Sequence, residues 1–325
     1  MRAMISLCCA LLGWIASAPT ASAQTDNFPS RPITIIVPFP PGGSSDVVTR
    51  LIAQKLGDNL KTNVVIDNRG GGGGVPAAIA IKQVTPDGYT LFLANNGLFA
   101  IMPAMTADIR FDPVRDFQPV TPLFAFPSVL VVPSNSPAKS AKDLVAFAKS
   151  KPGGLNFASQ GVGSGGHILA EMFRMKSGAP LVHVPYRGAG PAVTDLAGGN
   201  VDLLFSSYVS AIGQVQAGKL RVLGWTAAKR SAALPDVPTM AEAGFPGVEL
   251  AVWQGIVAPL GTPPAIVTKL HQEFVKAARS PDLVSKVAAQ AVEIYTLSPE
   301  EFGRLLASDF EHLGKVVRDA GIKMQ

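Results

Sequence analysis

The residues best placed to do chemistry in this 325-residue chain are Phe39, Gly42, Gly43, Ser44, Ser45 and Asp46, which follow Pro38 and the β-branched run Ile33–Val37. The order reads as strand, glycine turn and helix start. Gly42 and Gly43 let backbone approach a ligand closely, Ser44, Ser45 or Asp46 can cap the helix, and the first free N–H groups of that helix point outward. The chemistry this supports is capture of a small anion. The same grammar recurs at Gly70–Gly74, at Gly161–Gly166 and at Gly188–Gly190.

Motifs for catalysis fall short at identifiable positions. Gly161-Val162-Gly163-Ser164-Gly165-Gly166 matches G-x-G-x-x-G, yet Leu181–Gly188 carries no acidic residue to hold a ribose, which argues against a nicotinamide or flavin cofactor. Gly213–Lys219 fits most of a phosphate loop, but Leu220 stands where Ser or Thr must meet magnesium. Ser164 is no nucleophile-elbow serine, because Val162 occupies the first glycine place. A triad of another arrangement, Ser164 with His167 or His183, makes a secreted ester hydrolase the competing function. No H-E-x-x-H spacing links the four histidines, so no metal is expected.

Binding candidates stand instead at the ends of expected strands. Asn95, Ser159 and Ser206 end strands, where short polar side chains either meet a ligand or shape a turn. Tyr186 and Arg187 follow a strand directly, and Arg187 is suited to pair with a carboxylate or to contact another loop. His167 opens a helix beside a glycine turn, placed either to touch a ligand or to cap the helix.

Residues 1–23 carry Arg2, an apolar core from Ile5 to Ile15 and the small residues Ala21-Ser22-Ala23, the pattern of a secretory signal peptide cleaved after Ala23, with a periplasmic mature chain from Gln24. Cys8 and Cys9 both lie in that segment, which leaves the mature chain without thiols. The full sequence is 47% hydrophobic and 16% charged, and about 300 residues after the first 23 suffice for two domains with ordinary cores. Its mild basic excess is scattered rather than gathered in a run, so small anions rather than nucleic acid are the expected partners, and no later segment is apolar enough to insert in a membrane. A monomer is expected.

Strand and helix patterns alternate along most of the chain. Val48, Ile52 and Leu56 recur at helical spacing behind the first glycine turn, and shorter apolar runs separate later helical patterns, which implies parallel sheets covered by helices. The stretch from Met102 to Pro122 reads as irregular and proline-dotted. Apolar strands near Val129 and Trp253 are natural crossings between domains, placing residues 24–126 with 254–325 in one and 127–253 in the other. Ligands sit at strand carboxyl ends in such sheets, so the glycine junctions of both domains should face one cleft.

Ordered blocks run through almost the whole mature chain: Pro29–Ile33 leading into Val37–Gly43, Asp67–Gly70, Pro86–Tyr89, Val184–Gly188, Leu234–Thr239 and Ala258–Pro263. With them the chain resembles the Bug receptors, the extracytoplasmic substrate-binding proteins of tripartite tricarboxylate transporters. The resemblance implies a two-domain, periplasmic-binding-protein-like α/β fold that closes on a carboxylate without chemistry and passes it to membrane permease subunits. It also implies backbone amides and bridging waters as the grip, through Phe39, Gly42, Gly43, Ser44 and Asp46, then Gly71, Gly72, Gly73 and Gly74, with Ser159, Gly163, Ser164, His167 and Tyr186 opposite. Asp46 fits helix capping better than contact with an anion. Gly70–Gly74 stands where such proteins usually read Pro-Gly-Ala-Gly-Gly, a change that raises the ordering cost by ~0.4–1 kcal/mol per residue and leads to the expectation of a loop ordered by ligand. A sensor domain delivering the same ligand signal to another protein is the remaining alternative.

Overall fold

The computed structural model describes residues 27–106, 109–231, 234–288 and 292–323, so the signal peptide and the start at Gln24 lie outside the described residues. Strand β1 (Ile33–Val37) leads through the glycine turn into α1 (Ser44–Leu60). The helix forms because Val48, Ile52 and Leu56 bury one face, and it ends where Lys61 turns left-handed at φ 53°. Then follow β2 (Val64–Asn68), a 3₁₀ turn at Gly72–Gly74, α2 (Val75–Ile81), β3 (Thr90–Asn95), a π-helical turn at Gly97–Ile101 and α3 (Met102–Met105).

Next come β4 (Phe117–Phe126), β5 (Ser128–Pro133), α4 (Ala141–Ser150), β6 (Leu155–Ser159), α5 (Gly165–Ser177), β7 (Leu181–Pro185), α6 (Ala189–Ala197), β8 (Leu203–Ser207), α7 (Tyr208–Gln216) and β9 (Leu220–Trp225). The chain closes with β10 (Val252–Pro259), α8 (Pro264–Ala278), α9 (Pro281–Ala288), β11 (Glu293–Ile294) and α10 (Pro299–Asp319).

Two mixed sheets result, ordered β11-β4-β10-β3-β1-β2 and β7-β6-β8-β5-β9. Each is the core of one α/β domain. Pairing is parallel where strands alternate with helices, at β1·β2, β1·β3, β6·β7 and β6·β8. The antiparallel pairs all involve β4, β5 or β10. The chain passes from the first sheet to the second at Pro127 and returns before Val252, and the strands that receive it, β5 and β10, run against the parallel strands beside them.

Strand β4 begins inside the stretch expected to be irregular and runs past its end at Pro122. Pro119 and Pro122 obscure it in sequence, yet both are accommodated opposite β10, where the register shifts twice. On the other side β11 pairs only with Phe124 and Ala125, so neither proline need donate to that neighbour.

Trp253, nearly fully buried, donates from Nε1 to Asp309 Oδ2 at 2.7 Å and meets Phe302 edge-on at 5.2 Å, fixing α10 beneath β10. The far end of α10 crosses to the second sheet: Leu313, Val316 and Val317 share one apolar cluster with Ile101, Met105, Ile168, Leu169 and Phe173.

Candidate functional site

A cleft of about 870 Å³ opens between the two sheets. Loops after β1, β3, β6, β7 and β8 supply Phe39 to Gly43, Asn95 to Gly97, Gln160 with Gly163 to Gly166, Gly188, and Ser206 with Ser207. These are carboxyl ends of parallel strands, where the open end of each βα unit places its helix start. The crossing segments add Phe126, Ser128, Val252 and Gln254 to its floor.

Four helices begin at this cleft. The N-cap of α1 is Gly43, that of α5 is Ser164, that of α6 is Gly188 and that of α7 is Ser207, and all four caps line the cavity. The N–H groups of Ser45 on α1 and of Gly165 and Gly166 on α5 have no hydrogen-bond partner among the described residues. Unfilled first-turn N–H groups and the positive ends of the helix dipoles favour an anion there. Among the described residues the lining carries no Asp, Glu, Lys, Arg or His, so the peptide groups set its electrostatics.

Gly166 is needed for close approach. A Cβ there would stand 2.2 Å from the carbonyl oxygen of Phe205 and 2.4 Å from Gln160 Oε1, so α5 can start this near β8 only with glycine.

Several expected residues stand one layer behind the lining and position it. Asp46, at the third position of α1, is buried; its Oδ2 accepts from the Gly42 N–H at 2.9 Å and from Arg50 Nε at 3.0 Å, and its Oδ1 accepts from Asn68 Nδ2 at 2.9 Å. Burial alone would raise its pKa, but the bonds from Arg50, Gly42 and Asn68 hold the carboxyl below the usual range. It ties the glycine turn to its helix. Asn68 Nδ2 also donates to the Phe39 carbonyl at 3.1 Å. Ser44 opens α1.

Gly71, Gly72, Gly73 and Gly74 do not line the cavity. They form a buttress: a Cβ on Gly74 would fall 2.8 Å from Pro38, and one on Gly73 3.0 Å from Met102. Gly74 is buried against Pro38, while Gly71, Gly72 and Gly73 are exposed and nothing lies within 4 Å of where a Cβ on Gly71 would stand.

In the second domain Gly163, Ser164 and Ser206 face the cleft, as do Phe39, Gly42, Gly43 and Asn95 in the first. His167 lies behind them, 5% exposed, its Nδ1 accepting from the Gly163 N–H at 3.1 Å. Its ring stacks on His183 at 3.8 Å, which stacks in turn on Phe157 at 4.7 Å. Burial, then the neighbouring His183, pushes the His167 pKa down to about 4. His183 Nε2 is 2.6 Å from the Oγ of the fully buried Ser159.

Tyr186 donates from its hydroxyl to Asp195 Oδ2 at 2.7 Å, and burial together with that carboxylate raises its pKa to about 12. The side chain is committed within its own domain. Arg187 is exposed, outside the cavity lining, and has no hydrogen-bond or ion-pair partner among the described residues.

This arrangement does not assemble the competing hydrolase. Ser164 Oγ accepts from the His167 backbone N–H at 3.3 Å as an N-cap, while the His167 and His183 rings are engaged with Gly163 and Ser159. No imidazole stands beside Ser164 to take its proton.

The family model described as "Tripartite tricarboxylate transporter family receptor" matches residues 48–322. The chain belongs to this family. It is a solute-binding receptor and not an enzyme. The protein BugT of Bordetella pertussis is 36% identical over 314 residues, covering 96% of each chain. Among solved structures, R. palustris Rpa4515 with adipate matches at a TM-score of 0.80 and 35% identity over 91% of this chain and 99% of that one. MatC from Rhodopseudomonas palustris with bound malate matches at 0.74 and 30% over 89% and 100%.

Sequence reasoning passed over the receptor's crossing-segment residues. Ser128, Val252 and Gln254 look like strand interior, and only the lone glutamine in the apolar run Val252–Pro259 marks the site. Gln160 and Gly188 belong to junctions the sequence did reveal.

Proposed function

We propose that this receptor captures a small carboxylate in the cleft between its two sheets, in the periplasm, and hands it to the permease subunits of a tripartite tricarboxylate transporter. The observation that carries this is the convergence of four helix N-termini, with unfilled N–H groups from both domains, on a cavity without a charged side chain. The adipate and malate held by the relatives are anions of the size and charge such a site accommodates. Phe39, Gly42, Gly43, Asn95, Gly163, Ser164 and Ser206 contact the ligand in this reading. Ser44, Asp46, Gly71 to Gly74, Ser159, His167 and Tyr186 hold the loops that do, and Arg187 takes no part. The two lobes follow the expected division at residue 126, but the return falls before Val252, so β10 from Val252 onward belongs with the first lobe, and they close about the crossings at Pro127 and before Val252. The pattern of residues 1–23 supports the periplasmic address.

A thermal-shift screen of the mature chain against dicarboxylates, hydroxy acids, amino acids and aromatic acids tests the reading. A ligand at 100 times its Kd adds ~2.7 kcal/mol. The melting midpoint should then rise by several degrees, at ~2–4 °C per kcal/mol. A panel without any shift, repeated by calorimetric titration, would remove the carboxylate from the proposal.

A further inference from the structure

Beyond the carboxylate grip, the cleft contains two polar groups that nothing among the described residues satisfies. Gln254 is 3% exposed and its Oε1 has no hydrogen-bond partner; Ser206 is 2% exposed and its Oγ has none. Both line the cleft, Gln254 from β10 of the first sheet and Ser206 from β8 of the second. Buried polar atoms in folded proteins are almost always paired, so an unpaired one on each side of a ligand cavity marks where a ligand supplies the partner.

The neighbours narrow the chemistry. Asn95 stands opposite Gln254 in the β3·β10 pair, but its Oδ1 already accepts from the Leu98 N–H at 3.0 Å. Asn96 Nδ2 donates to the Ala251 carbonyl at 2.7 Å, and Gln160 Nε2 to the Phe205 carbonyl at 2.9 Å. What is left over is the Gln254 amide, whose buried Oε1 needs a donor, and the Ser206 hydroxyl, which can donate or accept a hydrogen bond. A second carboxylate could accept from the Gln254 amide nitrogen but has no hydrogen to donate, and would leave Oε1 unpaired. An ammonium would find no counter-charge in the lining. A hydroxyl satisfies both groups.

We propose that Gln254 and Ser206 are the specificity residues of this receptor, reading a hydroxyl group on the carbon skeleton of the bound carboxylate. The inference rests on the carboxylate reading above. The two residues come from different sheets, so a ligand that engages both contacts both lobes, and recognition then favours closure.

Calorimetric titration of the protein with matched acids provides the test: malate against succinate, 2-hydroxyglutarate against glutarate, and 4-hydroxybenzoate against benzoate. In the unmodified protein the hydroxylated member of at least one pair should bind more than about tenfold tighter, since a site built around a hydroxyl rejects the analogue lacking it. Gln254→Leu and Ser206→Ala should each bring that ratio down toward one. If Gln254→Leu does not fold, Ser206→Ala, which removes a single oxygen, carries the same comparison. Pairs that bind alike, or variants that weaken both members equally and leave the ratio intact, overturn the assignment while the carboxylate reading stands. Absence of binding by every acid overturns both.

Discussion

At the level of single residues, the binding surface is built from peptide groups and the ionisable side chains are withdrawn behind it. His167 illustrates the consequence. Its Nδ1 accepts from Gly163, so the ring is neutral while that bond stands, and its other nitrogen lies 4.0 Å from Glu171 Oε1. The folded pKa, about 4, is below the ordinary 6.5, so as pH falls the unfolded chain takes up the proton first. Stability is therefore undiminished above pH 6.5 and declines between 6.5 and about 4. The total is on the order of 3 kcal/mol from this group, given ~1.36 kcal/mol per unit. His183, also lowered by burial, adds to the slope with the same sign. Urea titrations across that range should show a shallower pH dependence for His167→Gln, whose amide oxygen can still accept from Gly163; equal slopes would assign the acid sensitivity elsewhere. Sequence alone left His167 between ligand contact and capping, because an N-terminal helix position fits both and only the stacked His183 and Phe157 rings decide between them.

Elements were legible where local chemistry and tertiary packing agree. The strand, glycine turn and helix at Ile33–Leu60 announce themselves because β-branched residues, a glycine pair and apolar residues four apart each demand what the fold supplies. Strand β4 was hidden because proline content speaks against a strand and only the shifted register beside β10 reconciles the two. Gln254 was hidden for the complementary reason: its importance lies in what faces it, and a sequence does not show which polar atom is left over. Caps behaved unevenly. Ser140 accepts from the Asp143 N–H as its spacing implies, but Asp143 Oδ2 turns to the Lys139 N–H, so the box is not reciprocal. The reciprocal box is at α10, where Ser298 Oγ accepts from the Glu301 N–H and Glu301 Oε2 accepts from the Ser298 N–H. Ser298→Ala should lower stability by about 0.5–2 kcal/mol, read from chemical denaturation. The cap lies outside the cavity lining, so ligand affinity should hold; a change there would mean that α10 is coupled to the cleft.

For the molecule as a whole, the question is how two sheets joined by crossing strands move. Each crossing enters its new sheet antiparallel and is anchored there by a full ladder, so bending concentrates in the short segments at Pro127 and before Val252. The end of α10 resists separation, since Leu313, Val316 and Val317 sit in the same apolar cluster as α5. In the proposed closure these contacts brace the axis, and a ligand favours it only through contacts made by both lobes at once. Val65 on β2 and Val182 on β7 lie at the outer edges of the two sheets, 49% and 50% exposed. Cys8 and Cys9 are the only cysteines in the sequence, so a chain begun at Gln24 and carrying Val65→Cys and Val182→Cys has only those thiols to label. Single-molecule energy transfer between the dyes should show a broad distribution in buffer that narrows and shifts when a carboxylate from the screen saturates the site. A distribution unmoved by a ligand that calorimetry shows to be bound would mean that the cleft is preformed, and that the permease recognises the occupied receptor by the ligand or rim rather than by the relative position of the lobes.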